Sequence, residues 1–194
     1  MASDTTNLIS AAAAVLEEAG PDGLTVRAIA TKAGCSTMVV YSQFGGKNGV
    51  VDALYIDGFQ RLAREIQATM PTDDPVADLR RCAQRYRKFA LENRQYYAIM
   101  FEGAIDGFTR SDAASMTASD TLGILSAKIQ RAIDARQLPE HEARDVAACL
   151  WAVTHGVVSL ELKHVGPPDI DWRRRHVQVI DAVLDGFRNA LKPA

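Results

Sequence analysis

Leu24-Thr-Val-Arg-Ala-Ile-Ala-Thr-Lys-Ala-Gly-Cys-Ser-Thr-Met-Val-Val-Tyr-Ser-Gln-Phe44, followed by Gly45-Gly46-Lys47, is the stretch on which the fold turns. Thr25 is placed to cap a short helix whose apolar residues Ile29, Ala30 and Ala33 share a face, and Gly34 supplies the left-handed residue that ends it. Ser36 is placed to cap a second helix that buries Val40 and Phe44, four residues apart on one side. Two short helices around a tight turn make a helix-turn-helix, whose second helix can enter a DNA major groove. Taken as spacing alone, the pattern also fits an ordinary helical hairpin.

The particular residues decide between the two. Gly34-Cys-Ser-Thr-Met-Val-Val-Tyr-Ser-Gln-Phe-Gly-Gly-Lys47 resembles the recognition region of the TetR family of bacterial transcriptional repressors. The resemblance includes the Leu-Thr-x-Arg-x-Ile-Ala opening at Leu24, Gly34, the Tyr41-x-x-Phe44 pair and the lysine three residues later. A preceding helix carries Leu8, Ala12, Val15, Leu16 and Ala19 on its buried side and closes at Gly20, as in the family. The motifs cover about residues 5–64, and the remainder matches by helical layout and length.

The resemblance implies a DNA-contacting set. Tyr41 and Lys47 match positions that grip phosphates; Thr37, Met38, Val39 and Gln43 match positions facing base edges or the backbone; Arg27 matches a residue that reaches the groove or its phosphates. The set is apolar for its task. Met38 and Val39 cannot donate to guanine acceptors, although either can pack on a thymine methyl. The chain departs from the family by placing Gly46 and Asn48 around the lysine, where a small polar cap and an acid are usual. Losing that acceptor and that acid at the positive end of a helix costs on the order of 1 kcal/mol. With Gly45, Gly46 and Gly49 together, the joint reads as a soft hinge.

Composition agrees with a soluble globular chain. Its 194 residues are 47% hydrophobic and 24% charged, and no apolar run reaches the length of a membrane span. The N-terminus lacks a basic segment followed by a hydrophobic one, so a cytoplasmic protein is expected. Cys35, Cys82 and Cys149 are far apart and sit among apolar neighbours, the pattern of reduced, buried thiols. A net charge of −2 gives no global attraction to nucleic acid, so any phosphate affinity must come from a local patch, with Arg27, Lys32 and Lys47 as candidates.

Beyond the motif the periodicity is helical throughout, giving an all-α fold. Val50, Val51, Leu54, Tyr55, Phe59, Leu62 and Ile66 recur at helical spacing to about Thr69, and Met70-Pro-Thr-Asp-Asp-Pro75 breaks the chain. The expected division is a three-helix DNA-binding domain over residues 1–49 and a helical effector-binding and dimerisation domain over 50–194, with the fourth helix as a rigid link. Helices are expected over about Val76 to Asn93, Gln95 to Glu102, from beyond Arg110 to about Arg136, from Pro139 through Leu162, and from Ile170 to Leu191. The last two carry apolar residues on nearly every side. A helix apolar all round must be buried all round, which suggests packing on the domain at one side and on a partner at the other. Relatives dimerise through these two helices, which implies Val153, Val157, Leu160, Val179, Val183 and Phe187 as the interface of a homodimer.

The C-terminal domains of relatives enclose a pocket for a small, often apolar effector. The resemblance places Tyr86, Phe89, Tyr97, Met100, Phe101, Trp151 and His155 in its lining, with Tyr96 and Phe108 beside them. Trp151-x-x-x-His155-Gly156 is similar to the signature of one TetR subgroup, and Gly156 in mid-helix suggests close approach of another helix. The same aromatics would also serve as ordinary core. No nucleophile elbow, phosphate-binding glycine loop or His-Glu-x-x-His run is present, and Glu161 with His164 lacks a third ligand, so neither enzyme nor metal nor cofactor is expected. The reading is a regulator of an operator in double-stranded DNA, released by a small effector. The alternative is an effector-independent DNA-binding dimer.

Overall fold

The computed structural model describes residues 2–189, with side chains from Thr5 onward. Among them are nine helices and no strand: α1 Ala2–Gly23, α2 Val26–Ala33, α3 Thr37–Phe44, α4 Lys47–Gln67, α5 Pro75–Glu92, α6 Arg94–Phe101, α7 Asp112–Asp134, α8 Ala143–Leu162 and α9 Trp172–Asn189. They form two compact units, one made of the chain up to Gln60 with Asn93–Ala118, the other of Arg61–Glu92 with the chain from Ser119 onward. The boundary expected between residues 49 and 50 falls in the first turn of α4.

In the first unit α1 packs on α2 and α6, and α2 on α3. Leu8, Ala12, Val15, Leu16, Leu24, Ile29 and Val40 are buried there, whereas Ala19, expected inside, is exposed. The reason lies at Gly20, whose positive φ kinks α1 and lets Pro21 begin a last short turn, so Ala19 stands at the end of the straight part of the helix. Gly58 in mid-α4 is a close-approach residue: an added Cβ would sit 2.7 Å from Met100 Sδ and 3.0 Å from the Tyr96 ring, so α6 crosses α4 where there is no side chain.

The second unit has a core of Val76, Leu79, Leu125, Ile129, Val146, Leu150, Ile180 and Leu184 drawn from α5, α7, α8 and α9. Its loop after α4 is tied down by Asp78, whose buried carboxylate accepts from the Thr72 amide at 2.9 Å, the Thr72 hydroxyl at 2.7 Å, Arg131 at 2.6 Å and Arg81. Burial by itself would raise this acid, but the Thr72 and Arg131 hydrogen bonds hold it below the ordinary carboxylate range.

Several expected boundaries move. α7 stops at Asp134 because Arg136 turns left-handed, its amide and that of Gln137 returning to the Ile133 and Ala132 carbonyls. Pro139 lies in the following loop instead of opening a helix, and α8 begins only at Ala143. α9 begins at Trp172, capped by Asp171, whose carboxylate accepts from the Arg174 amide at 2.9 Å. Leu191 lies outside the described residues. Of the three thiols only Cys82 is buried; Cys35 is half-buried and Cys149 exposed on α8.

Candidate functional site

The helix-turn-helix is built by its caps. Thr25 Oγ1 accepts the Ala28 amide at 3.1 Å, and Gly34 is left-handed at φ 67°, allowing the chain to turn tightly out of α2. Ser36 occupies the cap position of α3 with extended backbone but makes no side-chain cap bond; its carbonyl takes the Val39 amide instead. Val40 is buried and Phe44 half-buried, which seats α3 by one face and leaves the other outward.

That outward face carries the sequence-predicted residues. Met38 is 77% exposed, Tyr41 57% and Val39 37%; Thr37, Gln43 and Arg27 are exposed and Lys47 half-buried. Val39 is therefore not core. Gln43 is held from the side, its Oε1 accepting from the Thr5 hydroxyl at 3.0 Å. Lys32 is drawn away from the expected basic patch by Glu18, 2.5 Å from its Nζ. Arg27 and Lys47 have no ion-pair partner among the described residues.

The joint to α4 is tighter than its glycines suggest. Gly45 is the left-handed cap of α3, its amide bonded to the Tyr41 carbonyl at 2.8 Å, and Gly46 lies under the Tyr41 ring, 3.4 Å from where a Cβ would be. At Gly49 a Cβ would fall 1.8 Å from the Phe44 carbonyl oxygen. This glycine does not loosen the connection. It lets the first turn of α4 rest on the last turn of α3.

The expected effector residues divide between the two units. In the first, Tyr97 is fully buried with its ring 4.8 Å from that of Phe101, Phe101 meets Phe59 edge-on at 5.3 Å, and Met100 is buried against Gly58. Tyr96 donates to Asp57 at 2.5 Å. In the second unit Phe89 is buried, the Tyr86 hydroxyl lies 3.3 Å from His155 Nδ1, and the Trp151 and His155 rings are 6.2 Å apart. Trp151 is 38% exposed. An open groove of about 770 Å³ in the second unit, between the end of α7, the following loop and Arg188, is polar and includes none of these aromatics.

Three residues of the second unit were missed as a group. Arg87 grips Glu161 through Nε at 2.8 Å and Nη2 at 2.5 Å, and His176 is buried beside them, its Nε2 without a hydrogen-bond partner among the described residues. Burial, then the nearby Arg87, push the His176 imidazole down to about 4, against a smaller opposite pull from Glu161. The available signal was Glu161, alone in the charge-free run after Asp145 of α8; its partner lies 74 positions away. His164 is exposed beyond the helix end, and no cluster of metal-ligating residues occurs among the described residues.

α8 is not buried all round in the single chain. Val146, Leu150, Thr154 and Val158 are inside, Val153 and Val157 half-buried, and Leu160 43% exposed. On α9, Ile180 and Leu184 are inside while Val179, Val183 and Phe187 are half-buried and Val177 is 40% exposed. Gly156 has open space beyond its Cα, so none of the described helices approaches it within the chain.

A helix-turn-helix followed by an all-helical C-terminal region defines a transcription regulator with a helical DNA-binding domain. Residues 8–54 match the profile of the bacterial regulatory proteins of the tetR family, and residues 79–183 that of the tetracyclin repressor-like C-terminal domain. The chain belongs to the TetR family. Similar solved structures include a protein of unknown function from Rhodococcus sp. RHA1 (22% identity, 93% of each chain covered, TM-score 0.81). The fatty acid degradation regulator FadR from Bacillus halodurans is similar at 18% identity, covering 95% of this chain and 100% of that one, with a TM-score of 0.71. The TetR family transcriptional regulator PfmR from Thermus thermophilus is similar at 19% identity, 96% and 99% coverage and a TM-score of 0.63. No curated protein sequence matches the chain.

Proposed function

We propose that the protein is a ligand-responsive repressor that binds a palindromic operator as a homodimer and leaves it when a small, largely apolar effector binds. The observation that carries the reading is the outward face of α3, uncharged and exposed on a firmly capped turn, with Tyr41, Lys47 and Arg27 available for phosphates. Thr37, Met38, Val39 and Gln43 face the bases. The homodimer forms through α8 and α9, where Val153, Val157, Leu160, Val179, Val183 and Phe187 remain partly uncovered.

The effector is met in the second unit by Tyr86, His155 and Trp151, which supply orientation, and by the ring of Phe89. Tyr97, Met100 and Phe101 form a separate apolar cluster within the first unit, with Phe59 and Gly58. Two of the similar structures, FadR from Bacillus halodurans and a Clostridium perfringens protein, are named as regulators of fatty acid degradation or metabolism, and an acyl chain suits the Phe89 and Trp151 rings. The effector-independent alternative draws on the full burial of Tyr97, which is how a core residue behaves.

Footprinting on the DNA upstream of the protein's own coding region, with and without apolar ligands, tests the reading. Protection of two half-sites about one helical turn apart, lost on ligand addition, is expected. Trp151→Ala should abolish release with the melting temperature nearly unchanged, whereas a purely structural aromatic lowers stability by about 3 to 5 kcal/mol with release intact. If every aromatic behaves in the second way, the effector-independent dimer is the better reading.

A further inference from the structure

The eight residues of α3, Thr-Met-Val-Val-Tyr-Ser-Gln-Phe, contain no charge. The commonest specific contact in a major groove, arginine or lysine on guanine O6 and N7, is therefore closed to this helix. Val40 points into the protein, and Met38 and Ser42, each two residues from it, project almost oppositely. Met38 is the most exposed large apolar residue among the described residues at 77%, with the methyls of Val39 beside it. Gln43 is tied at the edge of the face by Thr5, its carbonyl oxygen engaged and its Nε2 left to donate outward. At the centre of the face stand a thioether and a hydroxyl. The one apolar group on a base edge in the major groove is the C5 methyl of thymine.

We propose that Met38, flanked by Val39, is the specificity-determining residue of α3 and reads thymine through its C5 methyl, and that Thr5 is a positioning residue fixing Gln43 for the neighbouring base pair. The inference rests on the DNA-binding reading above. The full-length chain is used to enrich duplexes from a randomised pool, and the half-site thymines of the enriched sequences are then replaced one at a time by deoxyuridine, which removes the methyl alone.

Wild-type protein should lose about fourfold in affinity at the contacted position, the worth of one buried methyl-sized group. Met38→Ala should bind thymine and uridine duplexes alike, and Met38→Leu should still discriminate. Both variants should melt as the wild type does, since the side chain is largely exposed. Thr5→Val should keep the methyl discrimination and relax preference at the adjacent pair; unchanged preference there overturns its positioning role. Guanine-rich half-sites, or uridine duplexes bound as tightly as thymine ones, overturn methyl readout while DNA binding stands. A pool from which nothing is enriched overturns the DNA-binding reading and this proposal together.

Discussion

α3 and α8 both leave large apolar side chains uncovered, and they do so in different company. On α3 the exposed Met38, Val39 and Tyr41 alternate with Thr37, Ser42 and Gln43, with Arg27 and Lys47 nearby and without an ion-pair partner among the described residues. On α8 no charged residue intervenes between Asp145 and Glu161, and the uncovered surface is Trp151, Leu160 and the half-buried valines. Apolar groups framed by cations and hydroxyls suit a polyanion with a few methyls; apolar groups without charge suit a second apolar surface. The supports differ as well. α3 rests on backbone caps and a glycine, whereas α8 packs on α9 in a unit where the half-buried Arg87–Glu161 pair lies near the buried His176.

The comparison breaks most sharply at α8. Val157→Glu should yield monomers by light scattering and lose operator binding, because a charge buried without a partner costs several kcal/mol. Leu160→Glu should do the same with the subunit still folded, since this side chain is 43% exposed in the single chain. If both variants stay dimeric, the charge-free face is not the interface.

The buried His176 of the same unit gives a pH dependence. Unfolded histidine takes a proton near 6.5, while folded His176 resists until about 4, so the unfolded chain holds more protons in between and stability rises with pH across that window. The span is about 3 kcal/mol, present in full above 6.5 and lost as pH falls towards 4. Urea unfolding at a series of pH values should follow this curve, and His176→Leu should remove that component of it.

On the α3 side, Gly49→Ala should destabilise by about 1 to 3 kcal/mol despite alanine's better helix propensity, because its methyl must displace the Phe44 carbonyl. A thermal melt unchanged or raised would deny the close packing. The smallest effect belongs to Lys47→Ala, which should weaken binding to all sequences alike and lower the salt slope by about one unit. An unchanged slope would take Lys47 off the phosphates.

The same contrast governs what sequence alone reveals. The helix-turn-helix is written locally: Thr25, Gly34 and the Tyr41 to Lys47 spacing act within a few residues of one another, so cap, turn and exposed face could be read in order. Periodicity marked α8 as apolar, but it cannot say which of its faces the same chain covers. Pro139 carried a helix-start signal that lost to the left-handed Arg136 and the loop beyond it. The pairs that build the second unit's polar centre, Tyr86 with His155 and Arg87 with Glu161, are separated by 69 and 74 positions, and no spacing rule joins them.

Gly49 has a mechanical meaning for whatever moves this molecule. With its bare Cα seated against the Phe44 carbonyl, the first turn of α4 and the last turn of α3 share one surface, and the Tyr41 ring closes over Gly46 beside it. A joint packed in this way would act as a crank, passing a rotation of α4 on to α3 with less lost to bending than an open glycine linker would lose. Under the proposed effector response, sensitivity would depend on how far α4 turns, and a bulkier residue at position 49 would blunt the signal even with DNA and effector each still bound.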